Sequence, residues 1–139
     1  MGQQQLLLIV VGVVIVGIAV AVGIQMFGEQ SAQANLDSVI GDLQSISARA
    51  HQFYLKPTSM GGGGRSFSGL TADAAGLTKL TTRGTNDNGT YSIATAGDAS
   101  EVVVQGDGVE DGDGDGNSIQ VKLWVRADVD DDSLSIVYR

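Results

Sequence analysis

LLLIVVGVVIVGIAVAVGI, residues 6–24, decides how the rest of the chain is read. Its nineteen residues comprise sixteen aliphatic side chains and three glycines, with no polar group among them. Met26 and Phe27 extend the run, and the first charge is Glu29. About 20 such residues span the hydrocarbon core of a bilayer as a helix, the form that satisfies every backbone polar group internally. A secretory signal peptide would carry a basic region before the run and a small-residue cleavage site after it. Here no Lys or Arg precedes Arg49, and the run passes without a break into further helical sequence. Lys and Arg on the cytoplasmic flank usually orient a membrane helix. That flank reads MGQQQ, and removal of a basic leader is the simplest account of it.

Beyond Glu29 the pattern becomes one-sided. Leu36, Val39, Ile40, Leu43, Ile46, Ala50 and Phe53 recur at spacings of three and four, with Asp37, Ser38, Asp42, Gln44, Ser45 and Arg49 between them. This is helical periodicity with a single apolar stripe. Pro57 predicts the stop, and Lys56 suits the negative end of a helix dipole. A helix over residues 3–55 is about 80 Å long at 1.5 Å per residue. Its first half needs lipid or other helices like itself; its second half needs a partner for the stripe.

The remainder reads as a head of three parts. Residues 58–90 are loop-like, and the four glycines at 61–64 predict a flexible connection, since GGGGRS lacks the lysine and spacing of a phosphate loop. From Tyr91 onward the period is two. Tyr91 and Ile93 mark one strand, Val102 and Val104 a second, Ile119, Val121, Leu123 and Val125 a third, and Leu134, Ile136 and Tyr138 a fourth. Asn88-Gly89 predicts a hairpin turn, although Asn88-Gly89-Thr90 also fits a glycosylation sequon. The expected fold is therefore α+β: a long N-terminal helix, apolar and then amphipathic, packed on a four-stranded antiparallel sheet. The expected divisions are 1–28, 29–57 and 58–139.

Chemistry-bearing residues are few. The chain has 139 residues, net charge −8, one histidine and no cysteine. That excludes disulfides, thiol nucleophiles and multi-histidine metal sites, and the acidic balance argues against nucleic acid. Asp111, Asp113 and Asp115 before Gly116 match the opening of a calcium-binding loop, but Lys122 stands where the closing glutamate belongs. They are the candidate metal ligands, against a solvated acidic turn as the plain alternative. Trp124 falls on the polar side of its strand, where it is either a lone exposed aromatic without a role or a candidate contact to a neighbouring subunit. His51 has no visible serine or carboxylate partner by spacing, and no enzyme is expected.

The layout of apolar helix, amphipathic continuation, glycine-rich loop and sheet resembles type IV pilins and pseudopilins. The most specific part is residues 1–27, where Met1 stands as the mature first residue, Gln5 takes the place of a common glutamate, and LLLIVV follows. The family's proline near position 22 and its C-terminal disulfide are absent; Val22 and Gly23 stand at the former place. The resemblance implies assembly into an extracellular cell-surface filament through Met1, Gln5, Leu6, Leu7, Val10, Val14 and Gly17. It also implies storage in the inner membrane before assembly, and a prepilin peptidase and assembly machinery as partners. Alternatives are a secretion-system pseudopilin and a membrane-anchored surface domain that never polymerises.

Overall fold

Helix α1 runs unbroken over Gly2–Leu55 in the computed structural model, which describes residues 2–112 and 114–138. The stop falls two residues before Pro57. A helix end leaves its last carbonyls without intrahelical donors. Here the tetraglycine supplies them: Gly63 N–H donates to Phe53 O at 2.7 Å and Gly64 N–H to Lys56 O at 2.9 Å. Arg65 N–H closes on Tyr54 O at 2.7 Å. The expected flexible connection is thus a wrapped cap. Gly61 and Gly64 take φ of 77° and 60°, the left-handed region that side chains avoid.

The connecting segment carries a one-turn helix, α2 (Ala74–Thr78), capped by Asp73, whose carboxylate accepts the Gly76 N–H at 2.8 Å. The strands then follow as β1 (Thr85–Asn86), β2 (Gly89–Thr95), β3 (Glu101–Gly108), β4 (Gln120–Arg126) and β5 (Ser133–Tyr138). They pair antiparallel in chain order, a simple meander. The sheet has five strands where alternation predicts four. The additional strand, β1, is two residues long, too short to leave a periodic signal. Its hairpin turns at Asp87 and Asn88, one residue earlier than expected, with Asn86 Oδ1 accepting the N–H groups of Asn88 and Gly89. Gly89 belongs to β2, where a Cβ would strike the carbonyl of Asp107 across the ladder.

One face of the sheet carries Tyr91, Ile93, Val102, Val104, Ile119, Val121, Leu123 and Val125 into a core shared with the stripe of α1. Leu36, Val39, Leu43, Ile46, Ala50 and Phe53 are buried as the spacing predicts, joined by Ala32 and Ser47, and Ile40 packs at the margin. Phe67, Leu70, Leu77 and Leu80 from the connection fill the remaining space. Phe67 is fully buried, tilted on Tyr54 at 4.8 Å between ring centres and edge-on to His51 at 6.3 Å. The approach of α1 to β3 depends on Gly106: a Cβ there would lie 2.8 Å from Val39 Cγ1 and 3.1 Å from the Tyr91 ring. At the sheet edge, Leu134 and Ile136 are not core residues as alternation implies. They stay 38% and 43% exposed because the helix covers β3 and β4 and stops short of β5.

Candidate functional site

The largest uncovered apolar surface among the described residues is the first part of α1. From Gly2 through Ser31 the helix makes no packing contact that buries a side chain, and every residue but the half-buried Gly23 is exposed. Leu6, Leu7, Val10 and Val14, four of the expected assembly residues, are 64%, 69%, 54% and 54% exposed. Gln5 and Gly17 are exposed as well, and Met1 lies outside the described residues. At about 100° per residue, Leu6, Val10, Val14 and Gly17 fall on one face. Gly12, Gly17 and Gly23 have nothing within 4 Å of a Cβ position, so their surface is open to a close neighbour. The helix is long and apolar enough to cross a membrane, a property shared by anchors and signal sequences.

Polar groups lock the other half of the helix to the head at three levels. Nearest the uncovered part, Asn35 Nδ2 donates to Asn88 O at 2.8 Å, and its Oδ1 accepts the N–H groups of Val109 and Glu110 at 3.1 and 3.3 Å. Two turns on, Asp42 Oδ2 accepts from Tyr91 Oη at 2.6 Å, Asn86 Nδ2 at 2.8 Å and Asn88 Nδ2 at 2.9 Å. Burial pushes the Asp42 carboxyl up, but hydrogen bonds from Asn88, Tyr91 and Asn86 outweigh it and hold the group below its ordinary value. Burial and the adjoining carboxylate both push the Tyr91 phenol far above its ordinary value, so it stays a donor.

The third level joins α1 to the turn before β5. Asp132 Oδ2 accepts from Ser47 Oγ at 2.7 Å and lies 3.0 Å from His51 Nε2, while Oδ1 accepts the Arg126 N–H at 2.8 Å. Burial raises the Asp132 carboxyl; the Arg126 N–H, His51 and Ser47 overcome that, leaving it below the ordinary carboxylate value. Ser47 and His51 are four apart on one helix face, and the carboxylate they share is 81 residues or more away along the chain, which is why spacing did not reveal it. The set has the members of a nucleophilic triad without its order. A serine nucleophile donates to histidine, whereas the Ser47 hydroxyl donates to the carboxylate. What the cluster does is fasten sheet to helix.

Trp124 is half-buried on the outward face of β4, directly across from Val103, which is 5% exposed despite facing away from the core. In the hairpin between β3 and β4, Asp111 accepts the N–H groups of Gly114 and Gly116 at 2.8 and 2.7 Å. Asp115 accepts the backbone and side-chain N–H groups of Asn117, both at 2.8 Å. Asp113 lies outside the described residues. Among the described residues no three His, Asp or Glu side chains gather as a metal site. At the far end of the head, Arg49, Lys56 and Lys79 line a 260 Å³ groove with Gln52, Phe53, Gly61 and Leu80. The sequence reading did not find this groove, because Lys79 is brought there by the connection that wraps the helix end.

Comparison of the chain with protein-family models, with curated proteins and with solved structures finds no match in any of the three.

Proposed function

We propose that this protein is the structural subunit of a helical filament, assembled through the uncovered half of α1 and displayed on the cell surface. The observation that carries this is continuity: Gly2–Leu55 is one helix, lipid-like on all sides at its start and bolted to the sheet at its end. A simple anchor needs no rigid coupling to its head. A polymer built on bundled helices does, because each head must keep one position relative to the shared core. Side-chain packing among such helices replaces lipid contacts, with small residues allowing close approach. The departure at Gln5 gives that bundle a neutral amide where a charge would otherwise be buried. Calcium held by Asp111, Asp113 and Asp115 belongs to the alternative, a secretion-system pseudopilin.

Electron microscopy of material sheared from cells expressing the chain tests the proposal directly. A carboxylate at the centre of an apolar span costs about 2.5–3.5 kcal/mol. Val14→Asp, at the middle of residues 6–24, is therefore expected to abolish filaments seen with the unaltered chain. Filaments of normal abundance from Val14→Asp would overturn the proposal.

A further inference from the structure

One helix cannot cover a five-stranded sheet. At about 4.8 Å between strands the sheet is about 19 Å wide, against about 10–12 Å for a helix with its side chains. α1 lies on β3 and β4, and α2 from the connection packs on β2. No helix makes a comparable contact with β5 among the described residues. Leu134 and Ile136 stand directly across from Leu123 and Val121 on the inward face, yet both stay exposed. The flank of α1 that faces β5 is fixed by the bonds of Ser47 and His51 to Asp132, in the turn before that strand. Ile40 falls about 20° round the axis from each of them, half-buried at the margin of the core. A groove therefore runs between the two elements, with Ile40 on one wall and Leu134 and Ile136 on the other. Toward the uncovered half of α1 it meets a cleft of 660 Å³ floored by Ala32, Leu36 and Ile119, with Glu29 and Gln30 at its rim. Ile119 is one inward step from Val121, the residue across from Ile136, so the cleft and the open face of β5 form one apolar surface.

Three observations argue what lies there. A helix laid beside α1 at the usual 8–10 Å between packed axes comes to rest over β5, so the vacancy has the width of one helix. Eleven of the sixteen acids fall between Asp98 and Asp132, so a second head would meet like charge. Residues 6–24 carry no polar side chain and the first charge is Glu29, so this helix meets no such repulsion, and outside lipid it needs apolar cover on every side. The helix of the same chain cannot turn back to supply itself: α1 is unbroken, and Val22 lies about 21 Å along the axis from Leu36. We propose that the groove between α1 and β5 seats the uncovered apolar helix of a second copy of this chain. The contact joins unlike surfaces, so it propagates instead of closing into a dimer. This inference rests on the filament reading and names the surface of the head against which the helix bundle packs.

The chain has no native cysteine, which makes disulfide trapping clean. In the full chain, Ile136→Cys is combined in turn with a single cysteine at each position from 8 to 22, and sheared filaments are oxidised. The expected result is a ladder of covalent multimers that requires both cysteines and recurs every three to four positions, the mark of one helix face. Ser135→Cys, on the other face of β5 across from Lys122, is expected to give no ladder with the same partners. Separately, Ile136→Lys is expected to cut the yield of sheared filaments about tenfold, the scale of one large aliphatic side chain losing its cover. Filaments that give no ladder at any position, or an undiminished yield from Ile136→Lys, would overturn this inference and leave the filament reading standing. Equal ladders from Ser135→Cys would overturn it too. Dimers from Ile136→Cys alone, at the yield of the paired cysteines, would place a second groove there and overturn it. No ladder in filaments, with Ile136→Cys shielded from a water-soluble maleimide while the chain is in the membrane, would assign the groove to lipid and overturn it. Absence of filaments from the unaltered chain would overturn both readings.

Discussion

At the scale of single residues, the most consequential side chain is one carboxylate. Asp132 collects Ser47, His51 and the Arg126 N–H in a half-buried position and ties the last turn to the helix. Its folded-state value lies below the unfolded one. The carboxylate therefore adds stability at pH above about 4, and that share is lost as the pH falls through the folded value. Hydrogen bonds to a charged group contribute about 1.5–3 kcal/mol each. Asp132→Asn is expected to lower stability by about 2 kcal/mol at pH 7 and by clearly less at pH 3. Thermal unfolding of residues 29–139 followed by circular dichroism at the two pH values checks this; an equal loss at both would sink it. None of this was legible in the chain order, because an acid in a run of four at 128–132 looks like solvated surface until the turn folds back. His51 was noticed as the lone histidine, and its partner could not be.

At the scale of elements, what periodicity could report it reported. The stripe from Leu36 to Phe53 and the inward set from Ile119 to Val125 are buried as their spacings require. Periodicity says nothing about elements shorter than its own repeat, which is why β1 escaped notice and why the hairpin turn was placed one residue late. It also says nothing about how far a covering helix extends, so Leu134 and Ile136 looked interior. The glycines separate into two kinds that sequence cannot tell apart. Gly41 lies on the exposed side of α1 with open space at its Cβ position, and Gly41→Ala is expected to stabilise by up to about 1 kcal/mol. Gly106 is pressed between Val39 and Tyr91, and Gly106→Ala is expected to destabilise by about 1–3 kcal/mol through overpacking. Chemical denaturation of residues 29–139 carrying each change should give opposite signs; the same sign would mean that α1 does not seat on β3 through Gly106.

At the scale of the whole molecule, every buried core residue among the described residues lies between Ala32 and Val125. Residues 29–139 are therefore expected to fold as a soluble monomer with a cooperative thermal transition. A broad, non-cooperative melt would mean that the uncovered helix contributes to the head's stability. The uncovered apolar half of α1 was legible because an unbroken apolar run has few explanations. The groove of Arg49, Lys56 and Lys79 was not, because Arg49 lies on α1, Lys56 just past its end, and Lys79 on a connection 23 residues beyond Lys56. The single helix Gly2–Leu55 with its glycine cap has one more consequence. It acts as a keyed shaft. Each residue added between Phe27 and Ala32 would turn the head by about 100° and lift it 1.5 Å relative to the uncovered half. Seven added residues would nearly restore the original angle, at about 20° short of two full turns. The length of this junction is thus an angular setting, and it allows sequence drift along the shaft far more readily than any change in residue number.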